Sequence, residues 1–164
     1  MTALCRHTAR AVGLHLGDPA DVLRWVHDTI AGDPDERFAT LAYGVLDDDR
    51  LSLALGGHPH PLLVSAAGEV RRVGTAGTVL GILDPELDTT EVALAPGEVL
   101  VLYTDGITDA PGDAAMSDEE LGEVVAAAVG EPLDAIGERV RAALAARRPG
   151  GSKDDVALLL LRRR

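Results

Sequence analysis

A chain of 164 residues is most simply a single domain, 1–164, and at that size folding buries about 70% of the surface of the extended chain, enough for a true hydrophobic core. Apolar residues make up 46% and charged residues 26%, a globular composition, not that of a disordered segment. A net charge of −12 with one lysine, Lys153, repels phosphate backbones, and 2% aromatics leave few surfaces on which bases could stack, so a nucleic-acid partner is disfavoured.

The chain opens on Met1-Thr2-Ala3-Leu4-Cys5-Arg6-His7, which lacks the basic-then-apolar layout of a signal peptide, and no apolar run approaches the ~20 residues of a membrane helix. The expectation is a cytoplasmic protein with no membrane contact. A single cysteine, Cys5, excludes an intrachain disulfide framework and a cysteine-based zinc site, and packing on a helix face is its expected role. Residues 2–16 read as a helix with a stripe through Leu4, Thr8, Val12 and Leu16. Gly17 then serves as C-cap, Asp18 as N-cap and Pro19 as first helical residue of a second helix, about Pro19 to Ala31. That helix buries Val22, Leu23, Val26 and Ile30, which puts Trp25 and His27 outside the stripe; His7, His15 and His27 all read as surface residues.

From Phe38 the period changes. Phe38–Leu46 and Leu51–Leu55 read as strands of a hairpin across Asp47-Asp48-Asp49, three carboxylates better explained as a solvated turn than as a metal cluster. Gly56-Gly57-His58-Pro59-His60-Pro61 is a shaped turn without a third nitrogen or sulfur ligand beside its histidines. Leu62–Ser65 and Val70–Val73 form a hairpin around Ala67-Gly68, and the stretch after Thr75 lacks the lysine and following helix of a phosphate-binding loop. Thr89–Leu94 is a further strand, turned by Ala95-Pro96-Gly97 into Val99–Tyr103, an apolar run of strand length buried on both faces. In all, about seven strands precede the last pair of helices. Ser117-Asp118-Glu119-Glu120 is a capping box for a helix with the stripe Leu121, Val124, Val125 and Ala128. A second helix, Pro132–Ala146, buries Leu133, Ile136, Val140 and Leu144, with Arg147 and Arg148 where the helix dipole favours cations. The chain ends in a second interior strand, Val156–Leu161. Paired helices flanking runs of strands predict an antiparallel α+β domain, a layered α/β/β/α sandwich of two sheets.

Two of these strands carry acid at one end. Val99–Tyr103 runs into Thr104-Asp105-Gly106, where glycine lets the backbone turn away from a fixed carboxylate; Ser152-Lys153-Asp154-Asp155 leads into the last strand. If the strands are neighbours, Asp105 and Asp154 converge as hard oxygen ligands that select Mg²⁺ or Mn²⁺ over Zn²⁺. Asp-Gly is also a common turn dipeptide, so the pattern alone admits both a turn and a ligand. Thr108, Asp109 and Asp113, in the loop after Asp105, are candidates for outer-shell or lid groups.

Phe38-Ala39-Thr40-Leu41, Gly57-His58-Pro59, Leu80-Gly81-Ile82, Leu94-Ala95-Pro96-Gly97-Glu98, Tyr103-Thr104-Asp105-Gly106-Ile107-Thr108-Asp109-Ala110 and Ser152-Lys153-Asp154-Asp155 follow one another in an order that resembles the metal-dependent protein phosphatases of the protein phosphatase 2C type, in the bacterial branch named after sporulation stage II protein E. The resemblance covers nearly the whole chain. It implies the layered sandwich, makes the Gly57-His58-Pro59 block a structural signature, and makes Asp105 and Asp154 ligands of Mg²⁺ or Mn²⁺, with Asp155 shaping the start of the strand. Family members begin with strands bearing a Gly-Asp pair whose aspartate bridges two metals. The pairs here, Gly17-Asp18, Gly32-Asp33 and Gly112-Asp113, fall later, so the domain is expected to be N-terminally incomplete, with an unpaired sheet edge that favours a homodimer. The implied activity is hydrolysis of phosphoserine or phosphothreonine on a regulatory protein, in the family's setting an anti-sigma factor antagonist. The alternative is a non-catalytic pseudophosphatase that binds a protein partner.

Overall fold

The computed structural model of the chain describes residues 1–32, 38–82, 84–109, 114–148 and 155–163. In chain order its elements are α1 (Thr2–Val12), α2 (Pro19–Ile30), β1 (Leu41–Asp47), β2 (Arg50–Gly56), β3 (Leu62–Val64), β4 (Val70–Arg72), β5 (Thr90–Ala93), β6 (Val99–Tyr103), α3 (Asp118–Ala126), α4 (Leu133–Arg147) and β7 (Leu158–Arg162). Among the described residues two antiparallel sheets and four helices make the expected α+β fold. They are shared between two compact units: Met1–His60 with Gly74–Ala93, and Pro61–Val73 with Leu94–Arg164.

In the first unit α2 lies on the sheet β1-β2-β5, against β1 and β2, and α1 packs on α2. Asp18 caps α2 as its position predicts, its Oδ1 accepting from the Ala20 and Asp21 amides at 2.8 and 3.2 Å. Val22, Leu23, Val26 and Ile30 are buried, while Trp25 is exposed. Two expectations fail here. α1 stops at Val12, and its buried face is Cys5 and Ala9, one residue round from the stripe drawn through Leu4, Thr8, Val12 and Leu16; Leu4 is exposed. The small side chains face the α2 core, and bulk alone pointed to the wrong face. His27, expected on the surface, is buried, and its Nδ1 accepts the Gly81 amide at 3.1 Å. The Gly81 amide thus gives the buried Nδ1 a hydrogen-bond partner in place of water.

The β1–β2 hairpin turns at Asp47-Asp48-Asp49, with Asp47 paired to Arg50 and Asp48 at φ +50°, the left-handed region that aspartate tolerates. The ladder begins at Leu41 instead of Phe38; ahead of it only Ala39 is bridged, to Leu80. Gly57 has φ +66°, and a Cβ there would lie 2.9 Å from the Val79 Cα, so both conformation and space demand glycine. Among the described residues six strands precede α3, against the expected number of about seven.

The second unit holds the sheet β4-β3-β6-β7, covered by α3 and α4. Leu62, Val64, Val99, Val101 and Tyr103 meet Leu121, Val125, Ile136 and Val140 in one core. Ser117 completes the predicted capping box: its Oγ accepts from the Glu120 amide at 3.2 Å, and Glu120 Oε2 accepts from the Ser117 amide at 2.8 Å. The last strand departs from expectation. β7 runs Leu158–Arg162 and, among the described residues, is the edge of its sheet, with Leu159 53% and Leu161 37% exposed. An uninterrupted leucine run read as interior, but alternate side chains lie on the more open face.

Candidate functional site

The site is built where β6 ends. Val99, Val101 and Tyr103 anchor the strand in the core, and the Tyr103 hydroxyl donates to Asp118 Oδ1 at 2.6 Å. Burial, then the hydrogen bond donated to the Asp118 carboxylate, pushes the Tyr103 phenol well above its ordinary value. Arg72 holds the other Asp118 oxygen at 2.9 Å. The strand end is therefore fixed before it releases the chain to Asp105.

The turn that follows is tied on both sides. Thr104 donates its amide to the Ala157 carbonyl at 3.1 Å, while its hydroxyl donates to the Asp155 carbonyl at 3.0 Å and accepts from the Ala157 amide at 2.9 Å. The Asp105 carbonyl accepts from the amides of Thr108 and Asp109 at 2.9 and 2.6 Å. Gly106 and Ile107 are buried, whereas the Asp105 and Asp109 side chains are exposed. A Cβ on Gly106 would strike the Asp155 carbonyl, so glycine is what lets the two segments touch.

The turn around Asp105 and the chain at Asp155 are thus in direct contact, as convergence of the two acidic segments requires. The Asp155 carbonyl takes part in that contact by accepting from the Thr104 hydroxyl. Asp154 and Asp113 lie outside the described residues. Thr108 and Asp109 belong to the Asp105 turn itself, their amides closing it.

Sequence reasoning missed two contributors. Thr104 stitches the β6 and β7 segments together through its side chain; a threonine directly before Asp-Gly at a strand end was the available signal. Arg148, taken only as a cation suited to a helix end, donates to the carbonyls of Ala114, Gly106 and Ile107 at 2.8, 2.6 and 2.8 Å. Its neighbour Arg147 donates to the Ala115 carbonyl and to both Glu120 oxygens. The Arg147 hydrogen bonds, followed by the Ser117 amide, hold the Glu120 carboxyl below the usual carboxylate range.

Exposed carboxylate oxygens on a backbone-fixed turn are the donor chemistry of a hard divalent cation. Among the described residues no three His, Cys, Asp or Glu side chains cluster as a complete metal-ligand set.

A family model described as Stage II sporulation protein E (SpoIIE) matches residues 1–164. The RsbU and RsbW domains of Rv1364c from Mycobacterium tuberculosis align at TM-score 0.80 and 26% identity, over 98% of this chain and 46% of that one. The SiaA-PP2C domain of Pseudomonas aeruginosa aligns at TM-score 0.80 and 24% identity, over 99% of this chain and 67% of that one. The PP2C phosphatase domain of the cell fate determinant SpoIIE from Bacillus subtilis, solved with a fragment of its regulatory domain, aligns at TM-score 0.80 and 16% identity, over 96% and 48%. Protein IcfG of Synechocystis sp. is 33% identical over 95 residues, which is 55% of this chain and 15% of that protein. The fold matches that of PP2C-like phosphatase domains. The chain belongs to the stage II sporulation protein E family. It spans about half of the first of these structures and a much smaller part of IcfG.

Proposed function

We propose that the chain is a metal-dependent protein phosphatase domain that hydrolyses phosphoserine or phosphothreonine on a regulatory protein, with Asp105 and Asp154 as ligands of Mg²⁺ or Mn²⁺. The observation that carries this is the contact between the Asp105 turn and Asp155, which brings the segment leading into β7 against the end of β6. A family model running unbroken from 1 to 164 supports reading the two units as one phosphatase domain. When bound, divalent ions would neutralise phosphate charge and lower the pKa of a coordinated water. The protein's part is to hold the carboxylate still: Thr104 fixes the backbone before Asp105, and the Thr108 and Asp109 amides fix its carbonyl. A phosphorylated anti-sigma factor antagonist is the regulatory substrate that fits the family setting.

Asp105→Asn tests the activity directly. With Mn²⁺ and a phosphoserine peptide, turnover of the native chain and a loss of at least about 100-fold in the variant, with unchanged circular dichroism, are expected if a ligand carboxylate has been removed. Equal turnover in both would overturn the assignment. A second reading is a pseudophosphatase that binds a protein partner without hydrolysing it. It requires no turnover in the native chain and retained binding of the phosphoprotein by both forms.

A further inference from the structure

We infer that Arg148 is the positioning residue of the site: it sets the aim of the Asp105 carboxylate by gripping the two peptide groups that follow it. The inference rests on the metal assignment above for its consequence, but not for its geometry. Arg148 stands just past the last turn of α4, with φ −126° and ψ 67°, so its side chain leaves the helix direction and runs under the loop. One planar guanidinium spans the Gly106 and Ile107 carbonyls through its two terminal nitrogens and the Ala114 carbonyl through Nε.

The grip matters because of what surrounds it. Asp105 is held from the front by Thr104, whose amide and hydroxyl are engaged with Ala157 and Asp155. Behind it, the turn closes through two amides onto the Asp105 carbonyl, and the next two carbonyls point at Arg148. Two anchors on either side of one residue fix the direction of its Cα–Cβ bond, while the carboxylate stays exposed. The Ala114 contact adds the far side of the loop, so one cation holds both ends of the 106–114 connection. Lysine could not reproduce this: it offers a point charge with rotatable donors, not a rigid fork. Groups that orient a metal ligand without touching the metal typically change metal affinity by about 10- to 100-fold when removed.

The neighbouring arginine supplies the control. Among the described residues Arg147 donates to Ala115 and to Glu120, at the start of α3, whereas Arg148 donates to Gly106 and Ile107. The full chain should be compared with Arg148→Ala, Arg148→Lys, Arg147→Ala and Asp105→Asn by titration with Mn²⁺ alone, followed by electron paramagnetic resonance, and by amide hydrogen exchange at Thr108 and Asp109. Expected are a Mn²⁺ Kd raised by about 10-fold or more in both Arg148 variants and by under about 3-fold in Arg147→Ala, with faster exchange at Thr108 and Asp109 only when Arg148 is changed. If Arg148→Ala fails to fold, Arg148→Lys decides. Native-like exchange at both amides in Arg148→Lys, or a native Mn²⁺ affinity beside a loss in Asp105→Asn, overturns the inference. If Asp105→Asn binds Mn²⁺ like the native chain, the metal assignment fails instead, and amide exchange alone decides whether Arg148 holds the turn.

Discussion

β6 and β7 are neighbours in one antiparallel ladder, each five residues long, one reading Val-Leu-Val-Leu-Tyr and the other Leu-Leu-Leu-Leu-Arg. β6 has β3 on its other side and four of its residues buried; β7 has no further partner among the described residues and exposes Leu159 and Leu161. Similar apolarity therefore serves two purposes. In β6 it fixes the rod that carries Asp105; in β7 it supplies a half-buried wall whose entry segment meets the Asp105 turn.

That contrast can be broken or sharpened by mutation. Leu100→Ala in β6 removes a side chain that is 1% exposed and should cost about 2–5 kcal/mol in urea unfolding, because a closed site cannot collapse fully around the void. Gly106→Ala, which drives a methyl group at the Asp155 carbonyl, should cost about 1–3 kcal/mol and prise apart the junction of the two strands, read as faster amide hydrogen exchange at Thr104 and Ala157. Tyr103→Phe removes the hydroxyl bound to Asp118 and should cost about 1.5 kcal/mol near neutrality. Because the folded protein raises the Tyr103 pKa, its contribution is complete below the ordinary phenol value of about 10 and fades as pH rises beyond it; the urea midpoint should fall more steeply above about pH 10 in the native chain than in the variant. Leu159→Ala, on the open face of β7, should cost less than about 0.5 kcal/mol. A Leu159 penalty as large as that of Leu100 would abolish the distinction.

What could be read in advance followed local chemistry. The Ser117–Glu120 capping box, the Asp18-Pro19 helix start, the Asp47–Asp49 turn and the buried run of β6 all depend on neighbours within a few residues, and all stand where the chain predicts them. The failures depended on partners distant in sequence. His27 is buried because Gly81 reaches it, Cys5 and Ala9 face inward because α2 lies close, and β7 is an edge because of sheet order, which a leucine run does not encode. The site followed the same division. Asp105 announced itself as acid at the end of a buried strand, but the grip of Arg148 on Gly106 and Ile107 spans 42 and 41 residues and left no local trace.

The burial of Cys5 has a practical side. It is the chain's single thiol, shielded within α1, and desolvation raises its pKa, so little of it is present as the reactive thiolate at neutral pH. Alkylation by a maleimide would then report how often the first helix lifts from its neighbour, and every modified molecule would carry its label at one known place.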